Sequence, residues 1–244
     1  MDMHPVKTAL WENSAYFRRY CIFLSPVLDD IMHSTNERNL KFVLIGGFKM
    51  EFKWLNEGEI VKKDNRIEIK APAQTDFFCG SIDECEEGIL PESLCNAPFY
   101  YTEIEGDFVL KVKVSHGFKD TYDSASVMVM KDMNCWAKCC FELTDFGTHA
   151  AVSVVTKGDS DDANGCNLEG DTAWLQVCRV GNNFAFHYSM DGKNFYMMRY
   201  FHLPVDPVVK VGLLAQAPVG NGGIRVYEDL SIQKTTVKNI RAGK

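Results

Sequence analysis

Between Tyr122 and Thr156 the chain carries three strand-like runs in succession: Tyr122-Asp123-Ser124-Ala125-Ser126-Val127-Met128-Val129-Met130, Cys135-Trp136-Ala137-Lys138-Cys139-Cys140-Phe141-Glu142-Leu143 and Ala150-Ala151-Val152-Ser153-Val154-Val155-Thr156. Each is too apolar to lie open on both faces, and too regularly broken by polar side chains to be a buried helix. The pattern recurs on both sides. Phe48, Met50, Phe52 and Trp54 alternate with lysines and Glu51, and Phe108, Leu110, Val112 and Val114 alternate with Lys111 and Lys113. Further runs cover 173–180, 183–189, 196–202, 208–215 and 223–232. Roughly a dozen strands with turns at short intervals, and no convincing helix after Met50, predict a two-sheet antiparallel sandwich. Asp191-Gly192 suits a tight hairpin that pairs the runs on either side.

A chain of 244 residues with 46% hydrophobic and 24% charged residues buries a core easily. Its net charge of −7 argues against a nucleic-acid partner, which would need a cationic face to displace counterions. The longest apolar run, Tyr20 to Leu28, is short and broken by Pro26, so no membrane span is expected. Nine cysteines lie as often in apolar runs as in loops, which suits a reducing, cytoplasmic compartment. Cys79, Cys85 and Cys95 lack the spacing of a zinc knuckle, and no cofactor is expected.

Three regions follow from these patterns. Residues 1–49 form an extension of uncertain structure, with 50–235 as the sandwich and 236–244 as a tail. Ile45-Gly46-Gly47-Phe48-Lys49-Met50 is also what a ribosome-binding site before a start codon would encode in frame, so Met50 is a candidate start.

Strand alternation sets Trp136, Lys138, Cys140 and Glu142 on one face and Ala137, Cys139 and Phe141 on the core face. Lys138 and Glu142 stand about 13 Å apart along the strand, so each needs a partner from elsewhere; Arg179 and Arg199 are natural candidates for Glu142. Two readings stand side by side: a ladder of salt bridges on an open sheet, or a polar groove in which Trp136 stacks on a sugar-like face. A retaining glycosidase needs two carboxylates about 5–5.5 Å apart, at i and i+2 on one strand. Cys140 and Thr144 occupy those positions around Glu142, so a second acid would come from Asp76 or Asp123, and a complete active site is not expected. Ser153 has no nucleophile elbow. Ser160, Asp162, Asn164, Gly165 and Asp171 loosely follow a calcium-loop spacing, against a plain solvated loop between Asp159 and Asp171.

The ordered set Thr75-Asp76-Phe77-Phe78, Tyr122-Asp123-Ser124-Ala125, Trp136-x-Lys138 with Glu142, Ser153-Val154-Val155-Thr156, Ser160-Asp161, Arg179, Tyr188-Ser189-x-Asp191-Gly192, Arg199 and Val211-Gly212-Leu213-Leu214-Ala215 with Pro218 resembles one family. It is the bacterial and fungal family related to the yeast regulator-of-enolase protein, in the concanavalin A-like lectin/glucanase superfamily. The resemblance implies a jelly roll of two curved antiparallel sheets, with a concave face where related folds bind or cleave sugars. On that face it places Trp136, Lys138, Glu142, Arg179, Arg199, Tyr122, Asp123, Asp76 and Ser153, with a small polar ligand such as a saccharide as the expected partner. Phe78 and Asp162 depart from the tryptophans common in the family, and Ser124-Ala125-Ser126 from its Gln-Ala-Gly.

Overall fold

The structure, a computed structural model, describes residues 50–80 and 94–244. The expectations for residues 1–49, for a start at Met50 and for Cys85 lie outside the described residues. Along the described chain the strands are β1 (Lys53–Leu55), β2 (Ile60–Lys63), β3 (Arg66–Ala71), β4 (Phe77–Phe78), β5 (Leu94–Cys95), β6 (Phe99–Glu105), β7 (Phe108–His116) and β8 (Ser124–Asp132). They continue as β9 (Cys135–Leu143), β10 (His149–Lys157), β11 (Asp159–Asn167), β12 (Thr172–Val180), β13 (Asn183–Ser189), β14 (Tyr196–His202), β15 (Val208–Gln216) and β16 (Gly223–Gln233). Two seven-stranded antiparallel sheets result. The front sheet runs β1-β6-β15-β8-β9-β10-β11 and the back sheet β14-β13-β12-β7-β16-β3-β2, the two-sheet sandwich that the alternation predicts, in the jelly-roll form that the resemblance implies.

The inner faces make the core. Val127, Val129, Ala137, Cys139, Phe141, Val211 and Leu213 from the front meet Leu110, Val112, Val114, Leu175, Val177, Phe184 and Phe186 from the back, all fully buried. Each large apolar side chain so buried contributes about 1.5–3 kcal/mol. Polar ties also cross this layer, among them His116 Nε2 to the Phe141 carbonyl, the Tyr227 hydroxyl to the Leu214 carbonyl, and an ion pair at the end where β8 begins. Arg225 on β16 and Asp123 just before β8 form an ion pair at 2.8 Å, with side-chain exposures of 2% and 0%. The same guanidinium donates to the Gln216 carbonyl through Nε (3.1 Å) and a terminal nitrogen (2.8 Å).

Two expectations need correction. The polar stretch after Asp159 is not a loop but the edge strand β11, paired with β10 from Ala150–Asn167 to Lys157–Asp159. Its side chains are nearly all exposed, so an edge strand needs no apolar signal. Asp162 and Asn164 lie on that extended strand and Asp171 beyond its end, and among the described residues no group of three or more His, Cys, Asp or Glu is placed to hold a cation, so the calcium-loop reading ends there. The hairpin at Asp191-Gly192 does join β13 to β14, but through six residues rather than two. Asp191 organises that connection. Its carboxylate accepts from the Lys193 and Asn194 amides at 2.8 Å, bonds that hold its pKa well below the usual carboxylate range. Gly192 has φ +69°, and a Cβ there would stand 2.7 Å from the Trp174 ring.

The C-terminal segment is docked rather than trailing. The Gly243 carbonyl accepts from Gln176 Nε2 at 3.2 Å, and the Arg241 carbonyl lies 3.1 Å from His187 Nε2, both on the outer face of the back sheet. Burial lowers the His187 pKa. Removing residues 239–244 is expected to cost about 1–3 kcal/mol, as two buried polar side chains lose partners. His187 should then titrate closer to a free imidazole, which NMR of the ring protons would follow; an unchanged unfolding midpoint and titration would show that the segment merely rests there.

Candidate functional site

The outer face of the front sheet is laid out by register. Gln216, Ser124, Glu142 and Ala150 stand side by side across β15, β8, β9 and β10. The next row on that face holds Leu214, Ser126, Cys140 and Val152, and the one after it Met128, Lys138, Val154 and Asp162. The parity assigned from sequence holds, with Trp136, Lys138, Cys140 and Glu142 facing away from Ala137, Cys139 and Phe141.

That face is not open along its length. Residues 75–79 cross it as a strap. Thr75 pairs with Ala217 beyond β15, exchanging backbone bonds of 3.2 and 3.0 Å. At the far edge the Ser160 amide donates to the Cys79 carbonyl (2.8 Å), and the Cys79 amide to Ser160 Oγ (2.9 Å). Between these anchors Phe77 meets Trp136 edge-on, ring centroids 5.7 Å apart. Phe77, Phe99, Met128, Met130, Trp136, Val154 and Leu214 thus form a second apolar cluster on this side of the sheet. Trp136 is fully buried and its indole nitrogen donates to the Met133 carbonyl, so it cannot stack on a ligand as expected. The Trp-Lys-Glu face carries no open ladder of salt bridges either, because the strap covers it.

The strap also brings the partner that Lys138 requires. Its Nζ donates to Asp76 Oδ1 and to Gln216 Oε1, each at 2.9 Å. Burial by itself would lower the Lys138 pKa, but the Asp76 carboxylate outweighs it and the net shift is upward. Lys138 is therefore a paired buried cation.

Glu142 is the opposite case. It is 6% exposed, and among the described residues no hydrogen bond or ion pair reaches its carboxyl. Burial pushes its pKa well above the ordinary value; Lys138 opposes this, while Asp162, Asp76 and Asp145 reinforce it. The shift favours the neutral acid form, in which the group can donate as well as accept. Tyr122 stands nearby, half-exposed at 39%, with its hydroxyl raised by burial and by Asp145, Glu142 and Asp162. Its backbone is strained: φ is +66°, and the turn is pinned by a 2.7 Å bond from the Tyr122 amide to the Leu143 carbonyl. A tyrosine rarely adopts that conformation unless its surroundings enforce it.

Four other predicted residues do not line this face. Asp123 turns inward to Arg225 and is wholly buried, so it cannot be a second acid on the surface. Arg179 spends its donors on the carbonyls of Gly181, Pro207 and Asp206 at 2.8–2.9 Å, and never reaches Glu142. Arg199 binds the Ser153 and Asp161 carbonyls at 3.4 and 3.1 Å, stitching β14 to β10 and β11; burial raises the pKa of Asp162, and the Arg199 charge is one of the groups that oppose that rise. Ser153 is 1% exposed and paired with Cys139 on the core side of β10. Sequence reading missed Gln216 and Arg225. Gln216 was within reach, being the polar residue in phase with Leu214 at the end of an apolar strand; Arg225 sits in phase with the core residue Tyr227 and gave no such signal.

Among the described residues no group of three or more His, Cys, Asp or Glu side chains could hold a metal ion, and no helix is long and apolar enough to cross a membrane. The assembled site is one neutral acid (Glu142), one ion pair (Lys138–Asp76), an amide (Gln216), a hydrogen-bonded serine pair (Ser124 Oγ to Ser126 Oγ, 3.0 Å) and a tyrosine at the rim.

This architecture is shared with other solved β-sandwich structures. A functionally unknown protein from Saccharomyces cerevisiae superposes with a TM-score of 0.68 at 24% identity, covering 76% of this chain and 97% of that one. The GH43 protein BlXynB from Bacillus licheniformis gives 0.53 at 13% identity, over 71% of this chain and 34% of that one. The carbohydrate binding module CBM66 from Bacillus subtilis gives 0.50 at 10% identity, over 78% and 98%. At these identities the likeness is one of fold. A comparison with curated proteins found no match. Residues 54–235 match the family model described as Protein of unknown function (DUF1349), and the chain belongs to that family.

Proposed function

We propose that this protein binds a small, neutral, polar ligand, such as a saccharide or sugar derivative, on the concave face of the front sheet beside Glu142. The observation that carries this reading is a buried carboxyl with no partner among the described residues. Polar side chains that are buried in native structures are nearly always paired; Glu142, 6% exposed, has no protein partner among the described residues and only solvent to meet, which leaves it free for a ligand. Glu142 supplies a donor and acceptor suited to a ligand hydroxyl, while Gln216 and the serine pair, themselves fully buried, brace the floor beside it. With Trp136 sealed beneath the strap, the exposed rings of Tyr122 and of Phe146, in the turn after β9, offer the apolar surface a sugar ring needs. The shared fold with a carbohydrate binding module supports the ligand class.

Titration calorimetry against a panel of mono- and oligosaccharides should find a saturable ligand. Glu142→Gln should weaken it by about tenfold or more, the loss of one hydrogen bond to a polar group in a buried site. A panel without a binder would sink the reading. Glycan cleavage is the second reading, favoured by the raised Glu142 carboxyl, which suits a general acid. Its base would have to be Asp162, because Asp76 is tied to Lys138 and Asp123 to Arg225; release of reducing sugar, lost in Glu142→Gln, would establish it. A regulatory role in sugar metabolism, as the resemblance to the yeast regulator-of-enolase protein implies, would be marked by a co-purifying protein. The free, largely buried cysteines fit the cytoplasm as its place of action.

A further inference from the structure

Two thiols meet on the strap. Cys79 follows β4 and Cys95 ends β5; their sulfurs lie 3.7 Å apart, both half-buried and free. The register explains the contact. Phe77 pairs with Cys95, and alternation returns Cys79 to the face of Phe77, so both sulfurs project to the same side. The remaining described thiols are otherwise engaged. Cys139, Cys140 and Cys178 are buried within the sheets, with burial raising the pKa of each, to about 12 for Cys140 and about 11 for Cys178. The Cys135 thiol donates to the Pro204 carbonyl, and the Cys166 thiol to the Asn167 carbonyl beside the Tyr188 hydroxyl.

We propose that Cys79 and Cys95 are a reversible disulfide site, oxidised by exchange with a small disulfide of the glutathione type, which locks the strap across the front sheet. In the first step the Cys79 thiolate attacks one sulfur of the small disulfide. That S–S bond breaks, one thiolate departs, and a mixed disulfide forms on Cys79. Cys95 then gives its proton to solvent and attacks the Cys79 sulfur, releasing the second small thiolate. Two protein thiols are oxidised to one disulfide, and one small disulfide is reduced to two thiols. Burial, and then the neighbouring Cys79 thiolate, push the Cys95 pKa up to about 12; the second cause vanishes once Cys79 is capped while burial persists, so Cys95 is less opposed as the resolving thiol than before. The sulfurs need to close by about 1.7 Å to reach bonding distance.

The link would act on the site next to it. The strap presents Asp76 to Lys138 and ties Cys79 to Ser160, so a bond within it fixes the ion pair that walls the polar end of the sheet. This inference rests on thiol geometry alone and stands whether or not a saccharide binds there.

The test uses the full chain equilibrated in glutathione buffers of rising oxidised-to-reduced ratio, quenched with acid and mapped by mass spectrometry without reduction. A peptide joining Cys79 to Cys95 should accumulate and vanish on adding dithiothreitol, and the thiol count of the denatured oxidised protein should fall from nine to seven. Cys85→Ser should leave the linked peptide unchanged, and Cys95→Ser should leave glutathione stranded on Cys79. The proposal is overturned if Cys79 and Cys95 remain separately alkylated at the most oxidising ratio, or if either pairs with Cys85 instead. The wild-type map decides the matter even where Cys95→Ser fails to fold.

Discussion

Glu142→Gln is expected to make the protein more stable at pH 7 while it weakens binding. In the folded chain burial raises the carboxyl's pKa well above its ordinary value of 4.5 and so favours the neutral form, while in the unfolded chain it ionises near that value. The unfolded state therefore releases a proton that the folded state keeps. As pH rises above about 4.5 the wild type loses about 1.4 kcal/mol of stability per pH unit from this group, until the folded carboxyl itself ionises. Below about 4.5 the group is protonated in both states and makes no difference. Glutamine has the same shape and cannot ionise, so the variant escapes the loss. Each kcal/mol recovered corresponds to roughly 2–4 °C in the unfolding midpoint for a domain of this size. Thermal scans of both proteins from pH 4 to pH 8 should diverge steadily with rising pH. Parallel curves would mean that Glu142 is ionised in the fold, and the site would then have to be rebuilt around an anion. A residue that weakens the fold at neutral pH and yet occupies a sheet face with no partner among the described residues is one whose value lies outside folding.

Arg225→Met is expected to have the largest structural effect. It strands the Asp123 carboxylate at zero exposure and takes two donors from the Gln216 carbonyl. Removing one member of a buried pair costs about 3–5 kcal/mol, because the remaining charge has neither water nor a partner. Adding Asp123→Leu should recover most of that loss, since a well-packed apolar pair often matches a buried ion pair. Urea unfolding of the two single variants and the double variant forms a complete cycle. If the double variant is as weak as Arg225→Met alone, the guanidinium acts mainly through the Gln216 carbonyl rather than through Asp123. Because Gln216 also binds Lys138, that outcome would couple the core tie to the site on the other face of the sheet.

The core tie and the site have different histories of legibility. Alternation assigned Trp136, Lys138, Cys140 and Glu142 to one face and Ala137, Cys139 and Phe141 to the other without error, since side-chain parity is a local property of an extended chain. It had no means of telling what lay above that face. Trp136 was expected to stack on a ligand, but the strap that seals it comes from residues 75–79, some sixty positions earlier. Arg179 and Arg199 were matched to Glu142 by charge, yet their guanidinium groups are used up by backbone carbonyls that only the fold brings near. The stretch after Asp159 misled for a different reason. An edge strand with exposed side chains on both faces has the composition of a loop.

What the sequence alone determined is the sandwich: periodicity over two residues, repeated through the chain, leaves few folds other than paired antiparallel sheets, and it fixes the parity of the strands that carry it. The tertiary structure alone decided which polar groups are spent and which are left over. Lys138 is satisfied by Asp76 and Gln216, Asp123 by Arg225, and Glu142 by nothing among the described residues. Pairing between groups tens of residues apart depends on strand order and on the path of the strap, and neither leaves a periodic trace in the chain.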